Sequence, residues 1–282
     1  MSSNQDIREM GNAASRSLGL SGQRIYAMCL RYLYLLRGSW PRIIELAYWP
    51  TVQMILWGLI SQFFAENSSW LAQAAGVLIG AVMLWDVVFR GQLGVSLVFF
   101  EELHARNLAH LFVSPLRPTE LITSLLLISF VRTIIGVGVA ALLAIPMYHY
   151  SIFDLGWPLI AFFMNLLVMG WAMGLVVSAL VLRFGMGAES LAWVVVFAIA
   201  PLSGIFYPIE ILPQWAQSLA WFLPASHVFE GLRGIMFDHH FSFELFYTAT
   251  LLNVVYLLGS IGVFLYVFSI ARKHGLLMRI GE

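Results

Sequence analysis

An almost uninterrupted apolar run occupies residues 121–147, which read LITSLLLISFVRTIIGVGVAALLAIPM and contain one charged residue, Arg132. A helical crossing of a bilayer core about 30 Å thick needs about 20 apolar residues, so this run predicts a transmembrane helix. The whole chain has the same character, since 60% of its 282 residues are apolar, 11% are charged and the mean hydropathy is +0.84. A soluble domain has too little polar surface to cover such a composition, which therefore indicates a membrane protein.

Further apolar runs lie on both sides of this one, and the chain is predicted to be an all-α polytopic membrane protein with six transmembrane helices. The six predicted spans are 43–64, 71–98, 121–147, 157–182, 189–207 and 245–270. Arginines are concentrated before the first span, between the second and third, after the fourth and after the sixth. This positive-inside bias predicts that both termini are cytoplasmic, which agrees with an even number of crossings.

The segment before the first span is predicted to consist of two parts. Residues 1–17 are polar and predict a flexible cytosolic tail. Over 18–40, apolar residues recur at helical spacing while Arg24 and Arg31 share another face, which predicts an interfacial amphipathic helix whose arginines reach lipid phosphates. The remaining residues, 41–282, form the predicted six-span membrane domain.

The polar segment 101–121, EELHARNLAHLFVSPLRPTEL, separates the second and third spans and predicts a short cytosolic helix that ends at Ser114-Pro115. Leu108, Leu111 and Phe112 form an apolar trio on this connector, and we expect the trio to be exposed and to contact another protein. The neighbouring polar residues are expected to make polar contacts with the same partner. A solvated loop helix is the alternative. The candidate docking residues are Glu101, Glu102, His104, Arg106, Leu108, Leu111, Phe112, Ser114 and Pro115.

The segment 201–237, here named the outer hairpin, is amphipathic and interrupted by prolines, which makes it unsuitable as a span. Non-helical backbone at membrane depth is tolerated only when it is buried in protein or lines a cavity, so an extracytoplasmic re-entrant hairpin before the last span is predicted. Glu230 and Arg233 are three residues apart on one helical face, where they either latch an exit or staple the local turn. The candidate gate residues are Gly204, Pro208, Glu210, Pro213, Pro224, Glu230 and Arg233.

Asp86, Arg90 and Arg132 lie well inside predicted spans, where an isolated charge costs at least a few kcal/mol. Asp86 and Arg90 are four apart in the second span and predict an intrahelical ion pair, which either lines a path or is purely structural. Arg132 either lines the same path, snorkels, or pairs with a neighbouring helix. In the fourth span, Gly170-x-x-x-Gly174 predicts close approach of another helix.

The two segments 101–121 and 201–237 resemble the ABC type-2 transporter permease family, which has a cytosolic coupling helix at the first position and an extracytoplasmic hairpin at the second. The resemblance covers most of the chain and implies a permease in a bacterial-type inner membrane. It implies two copies of an ABC ATPase subunit and a second permease copy, most simply a homodimer, as protein partners. Membrane lipid is the further expected partner. It further implies outward movement of an amphiphilic, lipid-linked, polysaccharide or drug-like substrate.

The motor is expected to be a separate subunit. A phosphate-binding loop requires Lys directly after Gly, whereas the single lysine, Lys273, follows Arg272. No cofactor is therefore expected in this chain, and ATP and Mg are expected on the partner ATPase. By the resemblance, closure of the ATPases pushes on the coupling helix and on the N-terminal helix.

Other functions remain as alternatives. A haem or cytochrome-assembly ABC permease has a related architecture and differs in cargo. A membrane-embedded enzyme requires catalytic polar groups converging at one depth, and the chain contains neither H-E-x-x-H nor G-x-S-x-G. A secondary transporter usually shows a pair of broken helices, whereas this sequence shows one broken region, the outer hairpin. No metal site is predicted, because Asp238-His239-His240 lacks ligand spacing, and no nucleic-acid partner is expected.

Overall fold

The computed structural model describes residues 21–67 and 69–274. The predicted tail 1–17 and the first residues of the predicted interfacial helix lie outside these ranges. Within them, the regular structure consists of ten α-helices and four short 3-10 helices, without a strand. The prediction of an all-α fold is therefore confirmed for this part of the chain.

The α-helices are numbered in chain order. The first five are α1 (Gly22–Arg37), α2 (Trp40–Asn67), α3 (Ser69–His104), α4 (Asn107–Val113) and α5 (Pro118–Tyr148). The second five are α6 (Trp157–Phe184), α7 (Leu191–Ile199), α8 (Gln214–Ala220), α9 (Pro224–Asp238) and α10 (Phe243–Lys273). The 3-10 helices are Ile152–Leu155, Met186–Ser190, Ala200–Ser203 and Ile209–Ile211.

Five helices, α2, α3, α5, α6 and α10, are long and apolar enough to cross a bilayer. They correspond to the first four predicted spans and the sixth, which are thereby confirmed as long apolar helices. They also extend beyond the predicted apolar runs, since α3 continues to His104 and α10 to Lys273. Polar residues at these ends continue the helix without having to enter the hydrocarbon core.

The fifth predicted span, 189–207, differs from the expected continuous helix. Its apolar helical part is the shorter segment Gly187–Ser203, which consists of α7 flanked by two 3-10 helices. Pro201 cannot donate a backbone hydrogen bond, and Gly204 then adopts a left-handed conformation with φ 66°, so the helix ends there. The described residues therefore contain five full-length apolar helices and one short, broken apolar segment.

The helix α3 lies at the centre of the bundle. Its most apolar 18-residue window is 72% buried, whereas the corresponding windows of α2 and α10 are each 22% buried. It packs against α2, α5 and α6. At the α3–α6 crossing, a Cβ added to Gly170 would lie 2.6 Å from the Val88 carbonyl oxygen, and one added to Gly174 would lie 2.7 Å from that of Gln92. The predicted close approach at these glycines is confirmed.

The amphipathic helix α1 is a separate helix, and Gly38 and Ser39 connect it to α2. It packs on α5 and α2. Met28 and Tyr32 are buried in the same apolar cluster as Phe99 and Leu125, whereas Tyr34 and other residues of α1 are exposed. One face of α1 is thus attached to the ends of two spans, while its position at a lipid surface stays a prediction.

Candidate functional site

The first ion pair of α1 centres on Glu120, a fully buried side chain in the first turn of α5. Its carboxylate accepts hydrogen bonds from the Arg24 guanidinium, with Nε at 2.8 Å, and from the backbone N–H groups of Ser21 at 2.9 Å and Arg117 at 3.0 Å. A carboxylate in this position also faces the positive end of the helix dipole. Glu120 therefore fixes the start of α1 to the start of α5.

Two further pairs join this region to the end of α3. Arg31 of α1 makes a two-point contact with Glu102, with both nitrogen–oxygen distances 3.0 Å, and the Glu102 side chain is 3% exposed. Arg42, at the start of α2, lies 3.2 Å from Glu101, and both of these side chains are more than a third exposed. Arg24 and Arg31 were expected to reach lipid phosphates, and that expectation is wrong because carboxylates of the same chain bind them.

The candidate docking residues are divided between the end of α3, the helix α4 and the turns on either side of α4. Glu101, Glu102 and His104 are at the end of α3. The short helix α4, which connects α3 to α5, is here named the elbow. The His104 Nδ1 lies 2.9 Å from the Phe100 carbonyl oxygen, and its Nε2 lies 3.8 Å from the Glu189 carboxylate. Arg106 adopts a left-handed conformation, with φ 56°, where the chain leaves α3 and enters α4. The predicted short helix is therefore α4, and the acidic residues that precede it belong to the end of α3.

The apolar trio of the elbow faces its own chain. Leu108 is fully buried, and Leu111 and Phe112 pack against the same cluster, the Phe112 ring lying 4.6 Å from that of Phe268. The expectation that this trio is exposed is wrong, because a short amphipathic helix gains more by burying it against α10. Val113, in contrast, is 87% exposed.

The end of the elbow follows the predicted proline pattern. The helix α4 ends at Val113, before Ser114 and Pro115, which are exposed together with His110. The next helix, α5, begins at Pro118. The exposed surface of this segment therefore includes residues 104–106, His110 and residues 113–115, and their contact with an ATPase stays a prediction.

The predicted intrahelical ion pair of the second span is present. Arg90 Nε lies 2.7 Å from Asp86 Oδ2, and both residues are buried inside the bundle. Gly136 of α5 leaves space for this pair, since a Cβ there would lie 2.9 Å from Arg90 Nε. This geometry favours the structural alternative, and contact with a substrate stays a prediction.

Arg132 differs from this pair. It is half-buried on α5 and lies in a small pocket with Tyr32, Arg42 and Glu101. Among the described residues it has no carboxylate within salt-bridge distance and no hydrogen-bond partner. Burial raises the pKa of Tyr32 above its usual value, and the nearby Glu102 charge adds to the effect, so its hydroxyl remains protonated.

The outer hairpin is held by a compact polar network. Arg233 donates to the Gly204 carbonyl oxygen at 2.7 Å and contacts Glu230 at 2.8 Å, as the spacing of the pair predicted. Glu230 in turn accepts a hydrogen bond from the Ile209 backbone N–H at 2.9 Å. This network ties α9 to the turn after α7, so a local staple is present whereas gating stays a prediction.

The remaining candidate residues of the hairpin have distinct positions. Pro208 and Pro213 each precede a short helix, and Pro224 is the first residue of α9, where a missing backbone N–H costs nothing. Glu210 is exposed and has no ion pair among the described residues. The prolines thus set the starts of helices, which explains why this segment cannot form one span.

A histidine that the sequence did not single out lies in this hairpin. The His227 Nε2 donates to the Trp221 carbonyl oxygen at 2.9 Å, while its buried Nδ1 has no partner among the described residues. Burial lowers the pKa of His227, and the hydrogen bond to Trp221 only partly offsets this. The imidazole is therefore held in its neutral form.

A second feature missed at sequence level lies between α6 and α10. Asn253 donates to the side-chain and backbone oxygens of Asn165, both at 2.9 Å, and Thr250 lies 3.3 Å from the same side chain. Polar side chains of this kind join helices inside a bilayer. The signal was available in the sequence, because each residue interrupts an otherwise apolar run.

These features define a class of protein: a polytopic helical membrane protein with an amphipathic helix, a short connecting elbow and a stapled hairpin before its last span. The profile of the ABC-2 type transporter family matches residues 31–237, and the chain belongs to this family. It is accordingly the permease subunit of an ABC transporter and works with an ABC ATPase subunit. No curated protein matches the chain. The haem-assembly alternative is not favoured.

Proposed function

We propose that this permease exports an amphiphilic, lipid-linked, polysaccharide or drug-like substrate. In this proposal the permease lies in a bacterial-type inner membrane with both termini in the cytoplasm. The excess of arginine at the α1 end supports this orientation, because arginine-rich segments stay on the cytoplasmic side of a membrane. ATP and Mg bind the partner subunit and not this chain. Two permease copies and two ATPase subunits form the working transporter.

The observation that carries the proposal is the linkage of α1, α3 and α5 beside the elbow. Arg24 joins α1 to α5 through Glu120, and Arg31 joins α1 to α3 through Glu102. The elbow connects the same two spans. A push on α4 or α1 is therefore shared by both spans, since the ion pairs resist their separation.

The length of α3 supports transmission across the bilayer. Its 36 residues extend about 54 Å at 1.5 Å per residue, which exceeds the thickness of the hydrocarbon core. Because α3 is the most buried of the long helices, its displacement repacks α2, α5 and α6 together. Closure of the ATPases thus becomes a rearrangement of the bundle.

The second permease copy is proposed to pack beside α2 and α7. The helix α2 is only 22% buried over its most apolar window. On α7, Trp193, Val194 and Phe197 are exposed. The substrate path would lie between the two copies, bordered by the early spans and by the broken segment.

Val113 offers a direct test of docking. Val113→Asp introduces a charge at the most exposed apolar residue of the elbow, and we expect loss of co-purification with the ABC ATPase and of stimulated ATP hydrolysis. Val113→Thr has nearly the same shape without a charge and should retain both. The docking proposal fails if Val113→Asp assembles normally. The transport proposal fails if substrate movement persists after ATP depletion.

A further inference from the structure

A small pocket lies where α1 meets α2, α3 and α5. Tyr32 and Leu35 of α1, Arg42 of α2, Glu101 of α3 and Arg132 of α5 contribute to its lining. Its cavity volume is about 10 Å³. Its enclosed part admits a group of about the size of a water molecule, whereas the mouth is wider.

The charges of this pocket do not balance. Arg42 and Glu101 form an exposed pair at 3.2 Å, whereas Arg132 has no carboxylate within salt-bridge distance among the described residues. The lining therefore keeps one net positive charge, from two guanidinium groups and one carboxylate. The charges of Glu101 and Glu45 act on Arg132 only from beyond ion-pair distance. An arginine without an ion pair near the hydrocarbon core is costly, and an anion at the mouth of the pocket lowers that cost.

A hydrogen-bond donor accompanies the unpaired charge. Tyr32 is 4% exposed, and its hydroxyl has no hydrogen-bond partner among the described residues. A buried hydroxyl without a partner is unfavourable and is usually satisfied by water or a ligand. One oxygen of a phosphodiester fits the enclosed part of the pocket and can accept hydrogen bonds from the Arg132 guanidinium and the Tyr32 hydroxyl. The other oxygens of the phosphodiester remain at the mouth.

The surroundings of the pocket indicate how the phosphate is carried. Leu35 lines the pocket and is exposed. Trp40 is 72% exposed at the first position of α2, the membrane-spanning helix that contributes Arg42. Tryptophan at a helix end is typical of the level of the lipid headgroups. A molecule bound here therefore has its phosphate at the pocket and apolar chains along α2.

From this geometry we propose that the pocket binds the phosphodiester group of a membrane phospholipid from the leaflet next to α1. Arg132 is the primary contact, Tyr32 is a second donor, and Arg42 contributes at the mouth. The bound lipid would also fill the angle between α1 and α2, which stabilises the attachment of α1. This binding goes beyond the proposed transport function and requires no ATPase.

The test uses the purified full-length chain, stripped of lipid in detergent and then incubated with dioleoyl phosphatidylglycerol. The matched probe without a phosphate is dioleoylglycerol, and inorganic phosphate is the soluble probe. Native mass spectrometry counts the retained molecules. We expect wild type to retain phosphatidylglycerol in preference to dioleoylglycerol, and Arg132→Gln to weaken its retention about tenfold, as expected for one charge-assisted hydrogen bond.

Three variants keep the proposal falsifiable. Arg132→Lys retains the charge and should retain most of the binding, while Tyr32→Phe should weaken it without changing the shape of the core. Arg37→Gln removes an exposed charge of α1 outside the pocket and should bind like wild type. Equal retention by wild type and Arg132→Gln overturns the proposal, as does equal retention of dioleoylglycerol. Full displacement by millimolar inorganic phosphate overturns the assignment to a lipid.

Discussion

The two ends of the helix bundle hold their short helices in different ways. At the α1 end, ion pairs join residues that are far apart in the chain, with Arg24 and Glu120 separated by 96 positions and Arg31 and Glu102 by 71. In the outer hairpin, the ion pair joins Glu230 and Arg233, which are three positions apart. Long-range pairs connect helices that can otherwise move independently, whereas a pair within one turn mainly fixes local geometry.

This difference predicts where a displacement passes between helices. Opening the α1 pairs should separate α1 from α3 and α5 and uncouple them. Opening the hairpin pair should loosen only the turn at Gly204 and the start of α9. The following changes test that contrast, in order of decreasing expected effect.

Glu120→Ala should have the largest effect. It removes a buried carboxylate and leaves the Arg24 guanidinium and two backbone N–H groups without their acceptor. We expect a loss of about 2 to 3 kcal/mol in the free energy of unfolding, together with detachment of α1. Hydrogen exchange of α1 and unfolding in mixed detergent micelles measure the two effects.

The control for this variant is Glu244→Gln, which removes an exposed acidic charge at the start of α10. It should leave the exchange rates of α1 unchanged. Slow exchange of α1 in Glu120→Ala would contradict the assigned attachment. It would also remove the structural basis for force sharing between the two spans.

Arg233→Gln should have an intermediate and local effect. It removes the charge that binds Glu230 and the donor to the Gly204 carbonyl oxygen. We expect a loss of about 1 to 2 kcal/mol, with faster exchange in the outer hairpin and normal exchange in α1. Accelerated hydrogen exchange in α1 would show that the α1 end of the bundle and the outer hairpin are coupled, which would contradict the proposed difference between them.

Acidification should weaken the hairpin through His227. The pKa of His227 is lower in the folded chain than its usual 6.5, so the unfolded state binds more protons below that pH. The contribution of neutral His227 to the free energy of unfolding is thus fully present above about pH 6.5 and is lost as the pH falls below that value. Thermal unfolding between pH 7.5 and 5 measures it, and His227→Gln, which retains a donor but does not titrate, should reduce the dependence. An unchanged pH profile in that variant argues against His227 as the origin.

Glu101→Gln should have the smallest effect on stability. Its pair with Arg42 is exposed, with side chains 37% and 41% accessible, and pairs of this kind contribute about 0 to 1 kcal/mol. We expect a change within about 0.5 kcal/mol that disappears at high salt. A loss comparable with that of Glu120→Ala would mean that side-chain exposure does not rank the contributions of the three ion pairs at the α1 end of the bundle.

Sequence reasoning succeeded where a local pattern carries the information. Apolar length identified five long helices, and the four-residue spacing of Asp86 and Arg90 identified their ion pair. The two small residues of α6 identified the close helix crossing. Each of these depends on the period of one helix, which the sequence specifies directly.

It failed where the partner lies on another helix. Leu108 has the same apolar pattern whether it faces an ATPase or α10, and only packing shows that it is buried. Arg31 likewise has the same position on α1 whether it binds a phosphate or Glu102. The sequence around Arg132 likewise does not show whether it is paired, and only the positions of the carboxylates in the described ranges show that none lies within salt-bridge distance.

The sequence alone therefore determined that this chain lies in a membrane, how its long helices are arranged along the chain, and which family it resembles. These properties follow from apolar length and from short motifs, because bilayer insertion acts on each segment separately. Only the tertiary structure decided which charges are paired, which face of the elbow is exposed, and that the fifth apolar segment is broken. Those outcomes depend on which helices meet, and contacts across 59 to 99 positions leave no local signature in the chain.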